Sequence, residues 1–522
     1  MSNDEKKPIS TTEKDEAELA KMGYKQELQR ELGLMQVSFS IISVITGIPS
    51  LFLYGLNTGG PSVMVYGWII VSFFTLLVGM AMAGELIIQP ELSTSSAHPT
   101  SGGPYFWAAM LSKPKDAPLT SWITGWFNLL GQVAVTTGIS FACASFISTL
   151  STFRTGFVPT ANTQIGVYAA VLFSQGSFGV RVLHYLNNVS VWWHAIGTFS
   201  LVVAILAKAP THQSGQFVFQ TFIDGTGGWA ERASPAYVAV TGILMAQVSF
   251  DASAHMTEET TNAAMSGSIG IIMAIGVSAL LGLYLLLGLL FSIQNLDNTI
   301  NTATGEPVAQ IFLDCVGEDG AIVLMIIVIG AMFFCGTFSV TSNSRMMYAF
   351  ARDGGLPGSK FFAYVNTKWK SPIRTVWLAC TLSFILGLPS LGSTVAFSAA
   401  TSIATIGLYI SYAIPIALRV IYHADFVRGP FHLGKFSFPI AITAVTWIAF
   451  ISIVFILPQE NPVDSQTFNY AIVAVGIVII YSVGYWLISA RKWFAGPVKQ
   501  IAAEEMGINV MEPGLTEKLA DI

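Results

Sequence analysis

Four residues that can carry a charge lie within nine positions, between two apolar segments of the chain. They are Asp251, His255, Glu258 and Glu259, in the stretch SFDASAHMTEET. The twelve residues before Asp251 carry no charge, and neither does the block IGIIMAIGVS that follows the stretch. A carboxylate in such surroundings can bind a cation, and an imidazole can exchange a proton near neutral pH. The stretch therefore marks a candidate site for a polar ligand or a proton.

Several other chemistries do not fit these residues. A zinc protease needs two histidines in the pattern H-E-x-x-H, and this stretch has only His255. No nucleophile–base pair, phosphate-binding loop or metal-ligand spacing occurs elsewhere, so we expect no enzyme, no cofactor and no metal site. The four cysteines are scattered and predict no disulfide framework. A net charge of −5 without a basic stripe argues against a nucleic-acid partner.

The composition places the chain in a lipid bilayer. Of its 522 residues 53% are hydrophobic and only 11% charged, with a mean hydropathy of +0.61, whereas soluble domains carry about 25% charge. Because a spanning helix needs roughly 20 apolar residues, the sequence predicts an all-α membrane protein with twelve transmembrane helices. The predicted spans are 36–57, 63–89, 119–150, 163–182, 187–208, 236–258, 267–293, 320–350, 373–391, 393–419, 437–457 and 469–490.

The distribution of Lys and Arg predicts the orientation of these spans. With the N-terminus in the cytosol, 22 of the 25 Lys and Arg residues fall in cytosolic segments. The loop around 294–319 contains five acidic residues and no basic one, as is typical of an external loop. Both termini are therefore predicted to be cytosolic, and we expect the plasma membrane, with an organelle membrane as the alternative.

Asp251 lies deep in the sixth predicted span. A carboxylate there costs at least about 2.5–3.5 kcal/mol on insertion scales, and such residues usually face a cavity. The alternative is a purely structural cap of a kinked helix. Ser249 to Ser253 favour a helix interruption, because Ser and Asp side chains bond to local backbone. The free N–H groups of a second half-helix would suit a carboxylate ligand. Asp251 and His255 share a helix face and could pair with each other or relay a proton.

The first predicted span has a matching irregularity. Gly47 and Pro49 lie near its middle, where Pro removes a backbone donor. A plain kink is the simpler interpretation. If spans 1–5 and 6–10 are inverted repeats, however, the two interruptions occupy corresponding positions, which is typical of a transporter's central site.

Several longer stretches resemble the amino acid–polyamine–organocation superfamily, and within it the eukaryotic amino acid/choline transporter group, which includes GABA permeases and bidirectional amino acid transporters. The resemblance covers about residues 30 to 497. The stretches that carry it are PTSGGPY (99–105), LNNVSVWWH (186–194), FDASAHMTEETTNA (250–263), SVTSNSRMMYAFARDGGLP (339–357), PSLGSTVAF (389–397), SIATIGLYISYAIPIALRV (402–420) and GPFHLGKF (429–436).

The resemblance implies a LeuT-like fold of 5+5 inverted repeats plus two helices, with helices 1 and 6 broken around a midplane site. The implied divisions are a disordered cytosolic tail (1–34), repeat 1 (35–210), repeat 2 (230–420), helices 11–12 (436–491) and a C-terminal tail (492–522).

The resemblance also implies roles for individual residues. Backbone N–H groups of Thr46, Gly47 and Ile48 would bind a substrate carboxylate, although Ile48-Pro49 departs from the glycine-rich pattern of bacterial relatives. In the sixth helix the implied substrate site comprises Ser249, Phe250, Asp251 and Ala252, with Phe250 as an aromatic gate and Asp251 facing an amine or cation.

Three further assignments concern coupling and gating. His194 is a candidate for proton coupling, because it is the titratable residue early in the fifth span, and a satisfied interfacial histidine is the alternative. His255 is a second coupling candidate. Arg345, Arg352 and Asp353 resemble an ion network at the inside gate.

The expected function is proton-coupled secondary transport of GABA or other small zwitterionic amino acids by alternating access. Choline, thiamine or polyamine transport is the alternative within carriers. A non-transporting sensor is the remote alternative, disfavoured by the short tails.

Overall fold

In the computed structural model the protein is helical, which agrees with a chain that crosses a lipid bilayer. Backbone polar groups in a bilayer must bond within the protein, which long apolar segments achieve by forming α-helices. The structure describes residues 19–20, 28, 44–84, 101–178, 180–243, 255, 263–366, 368–391, 394–422 and 433–497. Within these residues, extended pairing is confined to the single bridges Thr58–Asp224 and Asn366–Ser371.

The described chain contains seventeen α-helices, which are labelled here in chain order. They are α1 Val44–Asn57, α2 Gly60–Ala83, α3 Pro104–Leu111, α4 Ala117–Thr152, α5 Ala161–Gly176, α6 Val180–Lys208, α7 Gly215–Gln220, α8 Trp229–Arg232, α9 Pro235–Gly242, α10 Ala263–Ser292, α11 Leu296–Ile300, α12 Pro307–Arg352, α13 Ser359–Phe362, α14 Ile373–Gly387, α15 Thr394–Ile421, α16 Ser437–Val454 and α17 Ala471–Ile488. Short 3₁₀ segments occupy Leu388–Leu391, Gly434–Phe436 and Ala490–Lys492.

Nine helices of the described chain are long and apolar enough to cross a membrane. A 3₁₀ turn extends α14 at its C-terminal end, and another extends α16 at its N-terminal end. The nine helices are α2, α4, α6, α10, α12, α14, α15, α16 and α17. The three other predicted spans coincide with α1, α5 and α9, whose described lengths are 14, 16 and 8 residues. An all-helical, multi-pass membrane protein is thereby confirmed, and the total of twelve spans stays a prediction.

α4 is the helix around which the others pack. It runs for 36 residues and lies against α3, α5, α12, α14, α15 and α17. α4 and α15 approach closely where Gly131 meets Gly407, since a Cβ added at Gly407 would lie 2.8 Å from the Gly131 nitrogen. Small residues let membrane helices approach closely. α6 packs on α12 in the same way, with Trp193 over Gly330 and its Nε1 donating to the Ile327 carbonyl at 2.9 Å.

The first predicted span is not interrupted at Gly47 and Pro49. α1 is helical through both residues, so an interruption of this span would lie before Val44, outside the described residues. The Ser50 hydroxyl donates to the carbonyls of Thr46 at 2.8 Å and Gly47 at 3.1 Å. Such side-chain bonds help a membrane helix tolerate Pro. The predicted interruption of the sixth span, at 249–253, also lies outside the described residues.

One helix irregularity was not predicted. Gly317 has φ 71° and ψ 178° within α12, and this non-helical residue joins a short first segment to the long second one. A positive φ is readily adopted only by Gly. The loop after α4 attaches beside this kink, because Arg154 pairs with Asp319 and its backbone N–H donates to Glu318 Oε1 at 2.6 Å.

The contact between α4 and α15 yields a stability prediction. Gly407→Val would press its side chain against the backbone of α4, and overpacking of this kind costs about 1–3 kcal/mol. We expect a lower apparent melting temperature for this variant in detergent, followed by tryptophan fluorescence. Gly484→Val is the matched control, since a Cβ at Gly484 would meet nothing within 4 Å. Equal melting temperatures for the two variants would contradict the packing described.

Candidate functional site

α1 carries the three residues that the family resemblance assigns to a substrate carboxylate. Thr46 is buried beside the Cys335 thiol of α12, and Ile48 is fully buried in the apolar core. Gly47 differs from both, because a Cβ added there would meet no described atom within 4 Å. The helix therefore turns the flanking side chains into the protein and leaves the Gly47 backbone without a described neighbour on the side of a Cβ.

The helical conformation also shows which of the backbone N–H groups of Thr46, Gly47 and Ile48 can donate to a ligand. In an α-helix each N–H bonds the carbonyl four residues earlier. The N–H of Ile48 thus has the carbonyl of Val44, the first described residue of α1, as its acceptor. For Thr46 and Gly47 the corresponding acceptors precede Val44 and lie outside the described residues. Of the three assigned residues, Ile48 is therefore the least suited to donate to a ligand.

A cavity of about 440 Å³ lies against the second half of α1, and we call it the α1 cavity. α1 contributes Ser50, Tyr54 and Asn57 to its wall, and α4 contributes Phe141 and Ser145. The loops that precede α5, α8, α12, α15 and α17 form the rest of its wall, on the face that the Lys and Arg distribution predicts to be external. Ser50 lies one helical turn beyond Gly47. The α1 cavity thus reaches to within a turn of Gly47.

The carboxyl groups in the wall of the α1 cavity come from two loops. Glu306 and Glu460 line it, and no Lys, Arg or His is among the described residues of its wall. Burial raises the pKa of the Glu306 carboxyl to about 8 and also raises the pKa of the Glu460 carboxyl. Near pH 7 Glu306 therefore holds a proton for most of the time and can exchange it with an entering cation. A cavity with this lining favours ammonium groups over anions.

The loops around the α1 cavity are tied to the end of α1. Gly225 N–H donates to the Asn57 carbonyl at 2.8 Å, and Gly59 N–H donates to the Ile223 carbonyl at 2.9 Å. The loop that carries Glu460 joins them, since Asn461 N–H donates to the Thr226 carbonyl at 2.8 Å. A shift of α1 would therefore move the rim of the cavity with it.

His194 is a buried histidine on α6. Its Nδ1 lies 2.8 Å from the carbonyl of Ser190, one turn earlier, and 3.2 Å from the Ser190 hydroxyl. Because a carbonyl only accepts, Nδ1 carries the proton and Nε2 keeps a lone pair. Within the described chain no partner reaches Nε2. The ring can therefore accept one proton at that atom.

His255 contacts the loop that opens α3. It is fully buried, and its Nδ1 lies 2.9 Å from the Ser101 carbonyl. A Cβ at Gly103 would come within 2.8 Å of the imidazole Cε1. Gly103 has φ +55° and no room for a side chain, which explains a glycine at this position. The contact ties the sixth predicted span to α3, a partner that the spacing from Asp251 did not predict.

The two arginines of the predicted inside gate lie at the C-terminal end of α12. Arg345 is buried, and its Nη1 donates to the Ser344 hydroxyl at 3.1 Å. The Arg352 guanidinium lies over the Tyr348 ring, 5.4 Å from the centroid. Both side chains are held by residues of their own helix, which fixes their positions at this end of the bundle.

Asp353 completes the predicted gate and brings in a residue that the sequence did not single out. It is buried and accepts a hydrogen bond of 2.7 Å from the Tyr105 hydroxyl of α3. The Tyr105 ring also packs on Phe350 with centroids 5.3 Å apart. The end of α12 is thereby fastened to α3. Tyr105 belongs to the PTSGGPY stretch, which marked the family but not this contact.

The remaining predicted site residues, Ser249 to Ala252, lie outside the described residues. Among the residues that the structure does describe, no group of three or more His, Cys, Asp or Glu side chains could hold a metal ion.

Comparison with known proteins places this arrangement in a family. A family profile described as "Amino acid permease" matches residues 32–480. The chain belongs to the amino acid permease family. It is 41% identical over 517 residues to Amino-acid permease BAT1 of Arabidopsis thaliana, covering 94% of this chain and 98% of that protein. It is 42% identical over 509 residues to the BAT1 homolog of Oryza sativa subsp. japonica, covering 93% and 96%. An uncharacterized amino-acid permease of Schizosaccharomyces pombe is 32% identical over 494 residues, covering 92% and 89%.

These matches confirm the family resemblance seen in the sequence. The relatives are named permeases, which are transporters and not enzymes, in agreement with the absence of a catalytic constellation in the sequence. Amino acids are the substrate class that the family description supports.

The raised pKa of Glu306 yields a prediction on stability. The folded chain keeps a proton on Glu306 up to about pH 8, whereas an unfolded chain loses it near pH 4.5. The contribution of Glu306 to stability therefore falls as the pH rises between these values, since its folded form binds more protons than its unfolded form. In Glu306→Gln we expect a smaller fall of the melting temperature between about pH 5 and about pH 8.

Thermal unfolding in detergent at a series of pH values measures this effect. Glu231→Gln is the control, because Glu231 is an exposed carboxylate on the short helix α8. An unchanged pH slope in Glu306→Gln would show that Glu306 titrates as an ordinary surface carboxyl.

Proposed function

We propose that this chain is a secondary active carrier of GABA or other small zwitterionic amino acids, driven by a proton gradient and working by alternating access. The observation that supports it best is the α1 cavity. Its volume of about 440 Å³ suits a small molecule, and it reaches to within a turn of Gly47. An amino acid would enter through it, led by its ammonium group past Glu306 and Glu460.

The binding site itself belongs to this proposal. The substrate carboxylate would accept from backbone N–H groups at Thr46 and Gly47, with Ile48 packing behind them. Ser249, Phe250, Asp251 and Ala252 would face the amine from the sixth helix. Two inverted repeats, 35–210 and 230–420, would rock around this site, in a plasma membrane with both termini cytosolic. Tyr105 and Asp353, with Arg345 and Arg352, would close the inner end.

Transport of a pure organic cation is the second candidate, and the lining of the α1 cavity favours it equally. Carboxylates without a described Lys, Arg or His in the wall would admit choline, thiamine or a polyamine as readily as an amino acid. The two candidates differ at Gly47, because only a substrate with a carboxylate needs the α1 backbone. Purified protein in liposomes, tested with labelled GABA, a neutral amino acid and choline, distinguishes them.

Gly47→Ala tests the carboxylate site. The added methyl group would meet no described atom, so the variant should fold, but it would stand between the backbone and a ligand. A hydrogen bond to a charged group contributes about 1.5–3 kcal/mol. We therefore expect the KM for GABA to rise about ten- to hundredfold, with choline uptake, if present, unchanged.

The control for this variant is Gly166→Ala on α5, where a Cβ also meets nothing within 4 Å. Normal GABA uptake in Gly47→Ala would remove the α1 backbone from the binding site. Choline uptake without any amino acid signal would replace the first candidate by the second.

His194 provides the test of proton coupling. In His194→Gln the side chain cannot accept a proton at the position of Nε2. If His194 couples transport to protons, uptake with an inward proton gradient should fall to the level without one, while uptake without a gradient persists. Ser190→Ala is the companion variant, since it removes only the hydroxyl that lies 3.2 Å from Nδ1. Full stimulation by the gradient in His194→Gln would make His194 a structural residue.

A further inference from the structure

A second pocket, of about 550 Å³, lies at the opposite end of the bundle from the α1 cavity, and we call it the aromatic pocket. It is formed between the loop that follows α12 and the C-terminal end of α17. Rings of Tyr481, Tyr485 and Trp493 form one wall, and Trp122 of α4 lies behind them. The Trp122 and Trp493 ring centroids are 5.9 Å apart.

The charges around the aromatic pocket are positive. Arg352 and Lys360 line it, and Arg491 and Lys492 directly precede Trp493. The chain has no Asp or Glu between Asp353 and Asp425. Lys360 is exposed, and no carboxylate of the described residues forms an ion pair with it. The pocket therefore combines an apolar aromatic wall with a cation that is available to an anionic ligand.

The surface beside the aromatic pocket is one that lipid covers. α17 is a candidate membrane span, and its Ile480 and Ile488 side chains, 74% and 75% exposed, suit contact with acyl chains. Tyr and Trp rings are typical of the boundary between acyl chains and headgroups. A ligand in the pocket would thus have its polar part at Lys360 and its apolar part along α17. A free phosphate ion would use only the first of these features.

We propose that the aromatic pocket binds an anionic phospholipid, with the phosphate at Lys360 and the glycerol and upper acyl chains against Tyr481, Tyr485 and Trp493. Basic pockets between membrane helices on the cytoplasmic side bind such headgroups. The lipid would bridge α17 and the loop after α12. It would lie on the other side of Trp122 and Phe350 from the Tyr105–Asp353 hydrogen bond, since Phe350 packs on both Tyr105 and Trp122. Binding would therefore stabilise the closed inner end of the bundle.

Lipid retention by the purified full-length chain tests the proposal without measuring transport. Detergent-solubilised protein is mixed with phosphatidylglycerol, with phosphatidylcholine or with inorganic phosphate, and bound lipid is counted by native mass spectrometry alongside the melting temperature. We expect retention of phosphatidylglycerol over phosphatidylcholine, and a higher melting temperature with phosphatidylglycerol only.

Two charge reversals in one loop locate the site. Lys360→Glu should lower retention of phosphatidylglycerol about fivefold or more. Lys368→Glu should leave it unchanged, because Lys368 is exposed in the same loop but does not line the pocket. Tyr485→Ala should lower retention without changing any charge. Equal losses in the two lysine variants, equal retention of both lipids, or the same stabilisation by inorganic phosphate would each overturn the proposal.

Discussion

Hydrogen bonds between buried polar side chains on α4 and its neighbours hold the bundle in register, and the two pockets depend on them. Thr136 Oγ1 lies 2.9 Å from Ser339 Oγ of α12, and Ser140 donates to Gln175 of α5 at 2.7 Å. Nearer the N-terminal end of α4, the Asn128 side chain donates to the Ser411 hydroxyl of α15 at 3.1 Å. Apolar contacts alone do not fix one helix against another in lipid, whereas a polar side chain left without its partner there is costly. These bonds therefore set which face of α4 meets which helix.

Both pockets follow from that arrangement, because α4 extends from one to the other. Its residues Phe141 and Ser145 line the α1 cavity, and Trp122 near its beginning lines the aromatic pocket. The two pockets differ in the charged residues that line them. The α1 cavity has carboxylates and attracts ammonium groups, while the aromatic pocket has Lys and Arg beside a lipid-facing surface. The end of α12 is fastened to α3 by the hydrogen bond between Asp353 and Tyr105.

Apolar run length was enough to place the helices, because in lipid a long apolar segment has few alternatives to an α-helix. Nine of the twelve predicted spans coincide with described helices long enough to cross a membrane, and the other three overlap the shorter helices α1, α5 and α9. The Gly317 kink was missed because a single glycine in an apolar run does not reveal its φ. The sequence predicted an interruption at Pro49, where the structure has a continuous helix. The Ser50 hydroxyl bonds to carbonyls of the preceding turn, and residue type alone does not reveal the side-chain rotamer that makes these bonds.

The candidate site was predicted less completely than the fold, for a physical reason. Residue types in α1 pointed to Thr46, Gly47 and Ile48, but only the helix geometry shows that Thr46 and Ile48 are buried while a Cβ at Gly47 would meet no described atom. Glu306 counted in the sequence merely as one acid of an external loop. That it lines a cavity and has a raised pKa depends on loops from distant parts of the chain. The partner of His255 was missed likewise, since Ser101 and Gly103 are about 150 positions away.

We propose that the α1 cavity is the external entrance to a binding site at Gly47. The most direct measurement is reaction of Ser50→Cys with a membrane-impermeant thiol reagent added from the external side, with and without amino acid. The four native cysteines are buried and should not react with the reagent. The account predicts labelling of Ser50→Cys that a transported amino acid suppresses. Labelling that no amino acid changes, or no labelling from the external side, would contradict it.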